Sequence, residues 1–298
     1  MLGSPIRHSL SPVLHNAAFA AVGLDALFLA FEVDEAGGPA ALRGAAALGL
    51  MGLSITMPLK DVTARTCDRL SPAAARLAAV NCVVICDGQL EGHNTDGAGF
   101  VDSLRVDHGV DPTGQRVVVL GAGGAARSIV AAVAEAGAAD IAVVNRTHSK
   151  AEQAAALGGR VGSLDDVAAA AIVVNATSVG MGAADRAAPG VMPCDPSLLG
   201  AGQVVVDVVV HPVDTPWLVA ARDRGALGID GVGMLVHQAA HAFRHWTGMD
   251  APVDVMAGAA RAHLTLGQGL GGQGLGSQGL GVQDPGLQRP GPERPGLR

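Results

Sequence analysis

Tyrosine is absent from this chain, and five phenylalanines and two tryptophans make up its whole aromatic set. Such scarcity argues against an aromatic-rich β-sandwich; Ala and Val supply most of the apolar fraction, which suits helices and buried parallel strands. Cations are also in short supply, with 20 Lys and Arg against 27 Asp and Glu and a net charge of −7. A nucleic-acid surface built on clustered Lys and Arg is therefore not expected. No apolar run approaches the roughly 18–20 residues a membrane helix needs, and no basic region followed by an apolar stretch opens the chain as an export signal would. Neither membrane nor nucleic-acid partners are expected. The four cysteines, Cys67, Cys82, Cys86 and Cys194, have neither C-x-x-C spacing nor a disulfide framework. They read as free thiols in a reducing cytoplasm.

What the chain has in abundance is glycine, 42 residues of it, much of it at the C-terminus. From Gly267 a five-residue unit repeats, with Gln at 268, 273, 278, 283 and 288. Isolated leucines among so much glycine bury too little surface to offset chain entropy, so residues 267–298 are expected to be disordered. Before them, short apolar runs alternate with Ala-rich stretches, the pattern of parallel sheets covered by helices. Strands are expected at Met51–Thr56, Asn81–Ile85, Arg116–Leu120, Ile141–Asn145, Ala171–Asn175 and Val204–Val210. Helices are expected at Val13–Val22, with Ser11 as N-cap and Pro12 in the first turn, and at Ser71–Ala78, Ala125–Glu135, Gly231–Trp246 and Pro252–His263. Gly97–Gly99 is expected to punctuate the joint between two domains.

Arg116–Leu120 runs into Gly121-Ala-Gly-Gly-Ala-Ala126 and then a helical stretch. Gly121 permits a tight turn, Gly123 lets a pyrophosphate approach the backbone, and small residues at Gly124, Ala125 and Ala126 let the helix pack on the strand with its amides facing the phosphates. Gly121, Ala122, Gly123, Gly124 and Ala125 are thus candidate cofactor residues of a Rossmann-type dinucleotide unit. An NAD site usually carries a carboxylate at the end of the second strand. Here that strand ends in Asn145-Arg146-Thr147, with Lys150 following. Arg146 can stack on adenine and pair with a 2′-phosphate while Thr147 and Lys150 add donors, which favours NADP.

Polar clusters recur where α/β sheets bind ligands. Ser9-Leu-Ser11-Pro12 offers two hydroxyls at a helix start, a seat for a carboxylate. Thr56-Met-Pro-Leu-Lys60 ends a strand, Asn81 follows a helical stretch, and Asn94-Thr-Asp96 precedes the domain joint. His237, His241 and His245 share one helical face at a spacing metal sites can use, but no Cys or carboxylate joins them at ligand spacing. They read as a partly exposed face, and no metal is expected.

Gly3-Ser-Pro-Ile-Arg-His-Ser-Leu-Ser-Pro-Val-Leu-His-Asn16, Thr56-Met-Pro-Leu-Lys60, Ala79-Val-Asn81 and Gly92-His-Asn-Thr-Asp-Gly97 resemble, in order, motifs of the shikimate dehydrogenases. Gly121 to Arg127, Asn145-Arg-Thr147, Asn175-Ala-Thr-Ser-Val-Gly-Met181 and Asp230 to Gln238 continue the series, so the resemblance covers Leu2 to His263. It implies an α/β fold of two domains. The first is a mostly parallel α/β substrate domain over 1–97, and the second a doubly wound Rossmann NADP domain over 98–230. C-terminal helices over 231–266 then pack back on the first domain. It implies reversible, NADPH-dependent reduction of 3-dehydroshikimate to shikimate. Ser9 and Ser11 would hold the substrate carboxylate; Thr56, Asn81 and Gln238 would bind ring hydroxyls; Lys60 and Asp96 would flank the reacting oxygen. Asn175 and Thr177 would line the cofactor, and Gly231 and Met234 would lie beside it, Met234 being equally readable as plain core.

The chain departs from the family pattern in three places. Asp207-Val-Val-Val210-His-Pro212 stands where the family commonly has Asp-x-x-Tyr-x-Pro, so Val210 removes a hydroxyl from the substrate pocket. A raised KM with kcat largely kept is expected. Ser54 and Cys82 replace a frequent Asn and Thr, small local changes. Only Met1-Leu2 precede Gly3 where the family runs a full strand, so either a start further upstream or a marginally stable chain is expected. Two other functions stay open: an NAD-dependent quinate/shikimate dehydrogenase, for which loss of the Tyr leaves room, and a non-catalytic sensor of the same fold, against which Lys60 and Asp96 speak. A homodimer is left open as well.

Overall fold

The computed structural model describes residues 1–181 and 191–270. The first half runs β1 (Leu2–Gly3), α1 (Ser11–Ala21), β2 (Phe31–Glu32), α2 (Gly38–Ala47), β3 (Gly52–Ser54), α3 (Lys60–Thr66), β4 (Arg69–Leu70), α4 (Pro72–Leu77), β5 (Cys82–Cys86), β6 (Gln89–His93) and α5 (Asp96–Asp102). The second half runs β7 (Arg116–Leu120), α6 (Gly124–Glu135), β8 (Asp140–Val144), α7 (His148–Ala155), β9 (Arg160–Val161), β10 (Ile172–Asn175), β11 (Val204–Asp207), α8 (Pro216–Asp223) and β12 (Leu227–Ile229). Helices α9 (Val232–Thr247) and α10 (Val253–Leu270) follow.

β1 pairs with β2, and Leu2 bridges to Ile55 just past β3, which joins this pair to the sheet β3-β5-β6-β4. Every strand of this sheet runs one way except β5, which is antiparallel to both β3 and β6. The reversal matters for function. Asn81, just before β5, lies at the same sheet edge as the loops that follow β1, β3 and β6. The second sheet is wholly parallel, in the order β12-β11-β10-β7-β8-β9. The order in which strands are added reverses between β7 and β10, the crevice where doubly wound folds take ligands.

The Val-rich strands β7, β10 and β11 are buried because helices cover both sheet faces. Ile129, Val130 and Val133 of α6 pack on one face with Phe100 of α5, and Trp217 and Leu218 of α8 pack on the other. Leu14, Ala18 and Phe19 of α1 form a separate core with Val236, Ala239 and Phe243 of α9 and Met256 and Ala260 of α10. No helix among the described residues is long and apolar enough to cross a membrane.

Several local expectations need correction. Helix α1 begins at Ser11 itself, with Leu10 at the N-cap position and no side-chain cap; Ser9 Oγ instead accepts the Ser11 amide at 3.2 Å. Gly97 and Gly99 do not punctuate a joint, because both lie inside α5. A Cβ on Gly97 would stand 2.5 Å from Ser128 O of α6, and one on Gly99 would stand 2.4 Å from Gln238 N of α9. They are glycine because α5 is squeezed between two helices. Strand β11 stops at Asp207, short of Val210. Helix α10 runs past His263 to Leu270, beyond the tail boundary expected at Gly267, and residues 271–298 lie outside the described residues.

Candidate active site

The loops after β1, β3 and β6 and the start of β5 deliver Ser9, Ser11, Thr56, Lys60, Asn81 and Asp96 to one edge of the first sheet. Backbone bonds fix that edge: Ile55 N donates to Asn81 O at 2.8 Å, Asn81 N to His93 O at 3.0 Å, and Thr56 N to Leu2 O at 3.0 Å. A Cβ on Gly3 would overlap the Thr56 methyl, which explains a glycine where the first loop crosses the third.

Lys60, the first residue of α3, points its ammonium at Asp96, with Nζ 2.5 Å from Oδ2. The other carboxylate oxygen accepts from Asn81 Nδ2 at 2.6 Å. Asn81 Nδ2 also faces Thr95 Oγ1 at 2.9 Å and Gln238 Oε1 of α9 at 3.4 Å, while Asn81 Oδ1 accepts the Thr95 amide at 2.8 Å. Four residues picked from sequence, Lys60, Asn81, Asp96 and Gln238, therefore share one network, largely out of water. Thr95 was not among those picked. A Thr before a helix reads as a cap, yet its hydroxyl donates across to Gln238 O at 3.0 Å and makes no capping bond. Ser9 and Ser11 stay outside this network. Ser9 Oγ lies 3.1 Å from Met1 Sδ, and among the described residues the Ser11 hydroxyl takes no partner.

The glycine turn of the second sheet faces this edge. Gly121 sits at φ +116°, and a Cβ there would stand 2.8 Å from Ala176 O on the neighbouring β10 loop. Around Gly123 there is open space, and α6 begins with no side-chain cap and no acidic residue in its first turn. An uncapped helix start reached through an unobstructed glycine fits a diphosphate. A cavity of about 390 Å³ spans the gap, lined by Met57, Lys60 and Asp61 from one side and Ala122, Gly123, Gly124, Asn145 and Lys150 from the other. The Lys60 stem is so close that a Cβ on Gly124 would meet its Cδ at 3.7 Å. Arg127, one turn into α6, crosses the gap to Asp61 at 3.0 Å and to Leu77 O at 3.2 Å. Ala125 lies in the first turn of α6. At the end of β8, Arg146, Thr147 and Lys150 are exposed, and among the described residues Arg146 and Lys150 pair with no carboxylate.

Asn175 and Thr177 hold the chain more than they face the gap. Asn175 is fully buried, accepts from Thr177 N and Oγ1, and donates to Val179 O and to Asp207 Oδ1. Asp207, also fully buried, accepts from Thr215 Oγ1 and the Val209 amide as well. Burial pushes its carboxyl above the ordinary value against these three donors. It anchors two loops at the sheet edge, a role that its place in the Asp207 to Pro212 motif does not reveal. Gly231 caps the start of α9 where a Cβ would collide with Val208 O, and Met234 packs against the core of the second sheet. The histidine stripe is split among partners. His237 Nε2 lies 2.9 Å from Asp107, His241 Nε2 lies 2.7 Å from Asp102, and His245 stacks on His93. Carboxylates do join the stripe, one apiece from α5 and the turn after it. No metal-holding group of three or more ligands occurs among the described residues.

Residues 1–83 match the family described as shikimate dehydrogenase substrate binding domain, residues 106–181 match shikimate / quinate 5-dehydrogenase, and residues 231–261 match the shikimate 5′-dehydrogenase C-terminal domain. The NADP+ shikimate dehydrogenase of Moorella thermoacetica is 44% identical over 269 residues, 86% of this chain and 90% of that one. That of Methanopyrus kandleri is 42% identical over 282 residues, 89% of this chain and 94% of its own. Among solved structures, the Thermus thermophilus shikimate 5-dehydrogenase in complex with NADP(H) and shikimate superposes with a TM-score of 0.81 at 36% identity, covering 88% of this chain and 97% of that one. The quinate dehydrogenase of Corynebacterium glutamicum in complex with NAD gives 0.80 at 33% identity, covering 88% and 97%. By sequence and by fold, this chain belongs to the shikimate dehydrogenase family.

Proposed function

We propose that this chain reversibly reduces 3-dehydroshikimate to shikimate with NADPH, residues 1–97 holding the acid, 98–230 the nucleotide, and 231–266 closing back on the first part. The carrying observation is the Lys60–Asp96 pair at 2.5 Å, whose Lys60 lines a cavity in common with the glycine turn. Bound NADPH supplies the hydride. The Lys60 ammonium stabilises negative charge developing on the carbonyl oxygen and gives up a proton to it, while Asp96 keeps that ammonium oriented and charged. Ser9 and Ser11 hold the carboxylate, Ser11 through a hydroxyl that has no partner among the described residues. Thr56, Asn81 and Gln238 meet ring hydroxyls. Gly121 to Ala125 receive the diphosphate, Arg146, Thr147 and Lys150 take the 2′-phosphate, and Asn175, Thr177, Gly231 and Met234 shape the nicotinamide end. Four free cysteines fit a reducing cytoplasm.

Quinate with NAD is the second reading, favoured by Val210, where a Tyr hydroxyl is missing. One assay separates the two: shikimate and quinate, each with NADP and NAD, on the wild type and on Lys60→Ala. Shikimate with NADP is expected to give the highest kcat/KM, and Lys60→Ala to lower kcat roughly 100-fold or more. Undiminished turnover in Lys60→Ala overturns the assigned chemistry, and faster turnover of quinate with NAD overturns the substrate and cofactor.

A further inference from the structure

We propose that Thr95 is a positioning residue for this reaction, its hydroxyl clasping the Asn81 amide against Asp96 and tying both to α9. The proposal rests on the dehydrogenase reading above. Thr95 occupies the N-cap position of α5, where a Thr hydroxyl ordinarily accepts a first-turn amide. No such bond forms. The side chain is 2% exposed and turns inward, where Oγ1 accepts from Asn81 Nδ2 at 2.9 Å and has Gln238 O at 3.0 Å and Asn81 Oδ1 at 3.3 Å as possible acceptors. The hydroxyl has a single proton, and the shorter contact sends it to Gln238 O. That choice leaves its lone pairs to Asn81, so the amide nitrogen must face Thr95 and Asp96. The Thr95 amide locks the other end of the same group, donating to Asn81 Oδ1 at 2.8 Å. One residue thus fixes which way Asn81 points. Asn81 in turn holds the carboxylate oxygen that Lys60 does not touch.

The arrangement gives up a helix cap, a local rule broken beside the chemistry, where such exceptions concentrate. Without the hydroxyl, the backbone amide of residue 95 still holds Asn81 Oδ1, but Asn81 Nδ2 loses its Thr95 acceptor and can swing away from Asp96 Oδ1. The carboxylate would lose a donor, and Gln238 its tether to the first sheet. The nucleotide seat is on the other side of the gap and should not feel the change.

The test is steady-state kinetics on Thr95→Val, Thr95→Ser and Thr95→Ala, with melting temperatures recorded for each. Val keeps the shape without the hydroxyl. Ser and Ala both lack the methyl, so only the hydroxyl separates them, and the comparison stands even if Val fails to fold. The expected result is kcat/KM for shikimate lowered roughly 10- to 100-fold in Val and Ala, KM for NADP unchanged, and Ser within about threefold of wild type. Val or Ala at wild-type kcat/KM, or Ser as impaired as Ala, overturns the proposal. Wild type that turns over quinate but not shikimate overturns the shikimate reading alone, and the variants are then compared on quinate. Wild type inert to both acids overturns the two together.

Discussion

Residue by residue, the chemistry was legible where a side chain has few other uses. Lys60 after a Pro-fixed turn and Asp96 before the expected joint stand out in the sequence, take their roles from the family resemblance, and meet at 2.5 Å. The part played by Thr95 is not legible, because a Thr before a helix has an ordinary explanation that only its partners exclude, and the Asp207 motif does not say what its carboxylate holds. Val210 belongs at this scale too. It packs, partly buried, beside the α1–α9 core, and on the proposed function a Tyr at this position would add a hydroxyl for the acid that Ser9 and Ser11 are proposed to hold. Restoring it in Val210→Tyr should lower KM for shikimate roughly tenfold or more, the worth of a hydrogen bond to a charged group, with kcat changed little. Initial-rate kinetics at saturating NADP check this, and an unchanged KM counts against it.

For whole elements, the β7–α6–β8 unit was readable because Val117 to Leu120 form a short, wholly apolar run flanked by glycine and an Ala-rich stretch. β2, two residues long with both exposed, carries no such signal. The glycines of α5 were misread for a physical reason. Glycine in a turn and glycine at a helix contact look alike in sequence, and only a neighbour 2.4 Å from an absent Cβ tells them apart. In Gly99→Ala the added methyl meets the backbone of α9, which cannot give way as a side-chain tip can. Overpacking of this kind costs typically 1–3 kcal/mol, and the shift falls on Gln238. A lower urea midpoint together with a raised KM for shikimate is expected. Gly44→Ala, whose Cβ would meet nothing within 4 Å inside α2, is the matched control that should show neither effect.

At the scale of the molecule, a box of rings at the junction of α1, α9 and the chain before β2 sets the response to acid. His15 stacks on Phe28 at 4.5 Å between ring centres, lies 5.0 Å from Trp246, and among the described residues finds no partner for either ring nitrogen. Burial lowers its pKa from 6.5 to about 3. Between those values the unfolded chain binds a proton that the folded chain refuses, so the His15 contribution to stability is fully present above pH 6.5 and is lost as pH drops toward 3. The slope is roughly 1.4 kcal/mol per pH unit. Urea unfolding at pH 7 and at pH 4.5 should show this loss in wild type, and a smaller one in His15→Leu. Equal losses in the two proteins would assign acid sensitivity elsewhere.

The reversed strand β5 also separates two kinds of position along the first sheet. It and β6 are joined by Asp87 and Gly88 alone, both at positive φ, in a two-residue hairpin turn. Since Asn81 precedes β5 and Asn94 to Asp96 follow β6, the proposed site residues of this hairpin lie at one end of it and its turn at the other. The turn is thus a natural insertion point, where an epitope or a fluorescent reporter can be spliced into the middle of the sequence with five strand residues on each side insulating it from the catalytic edge.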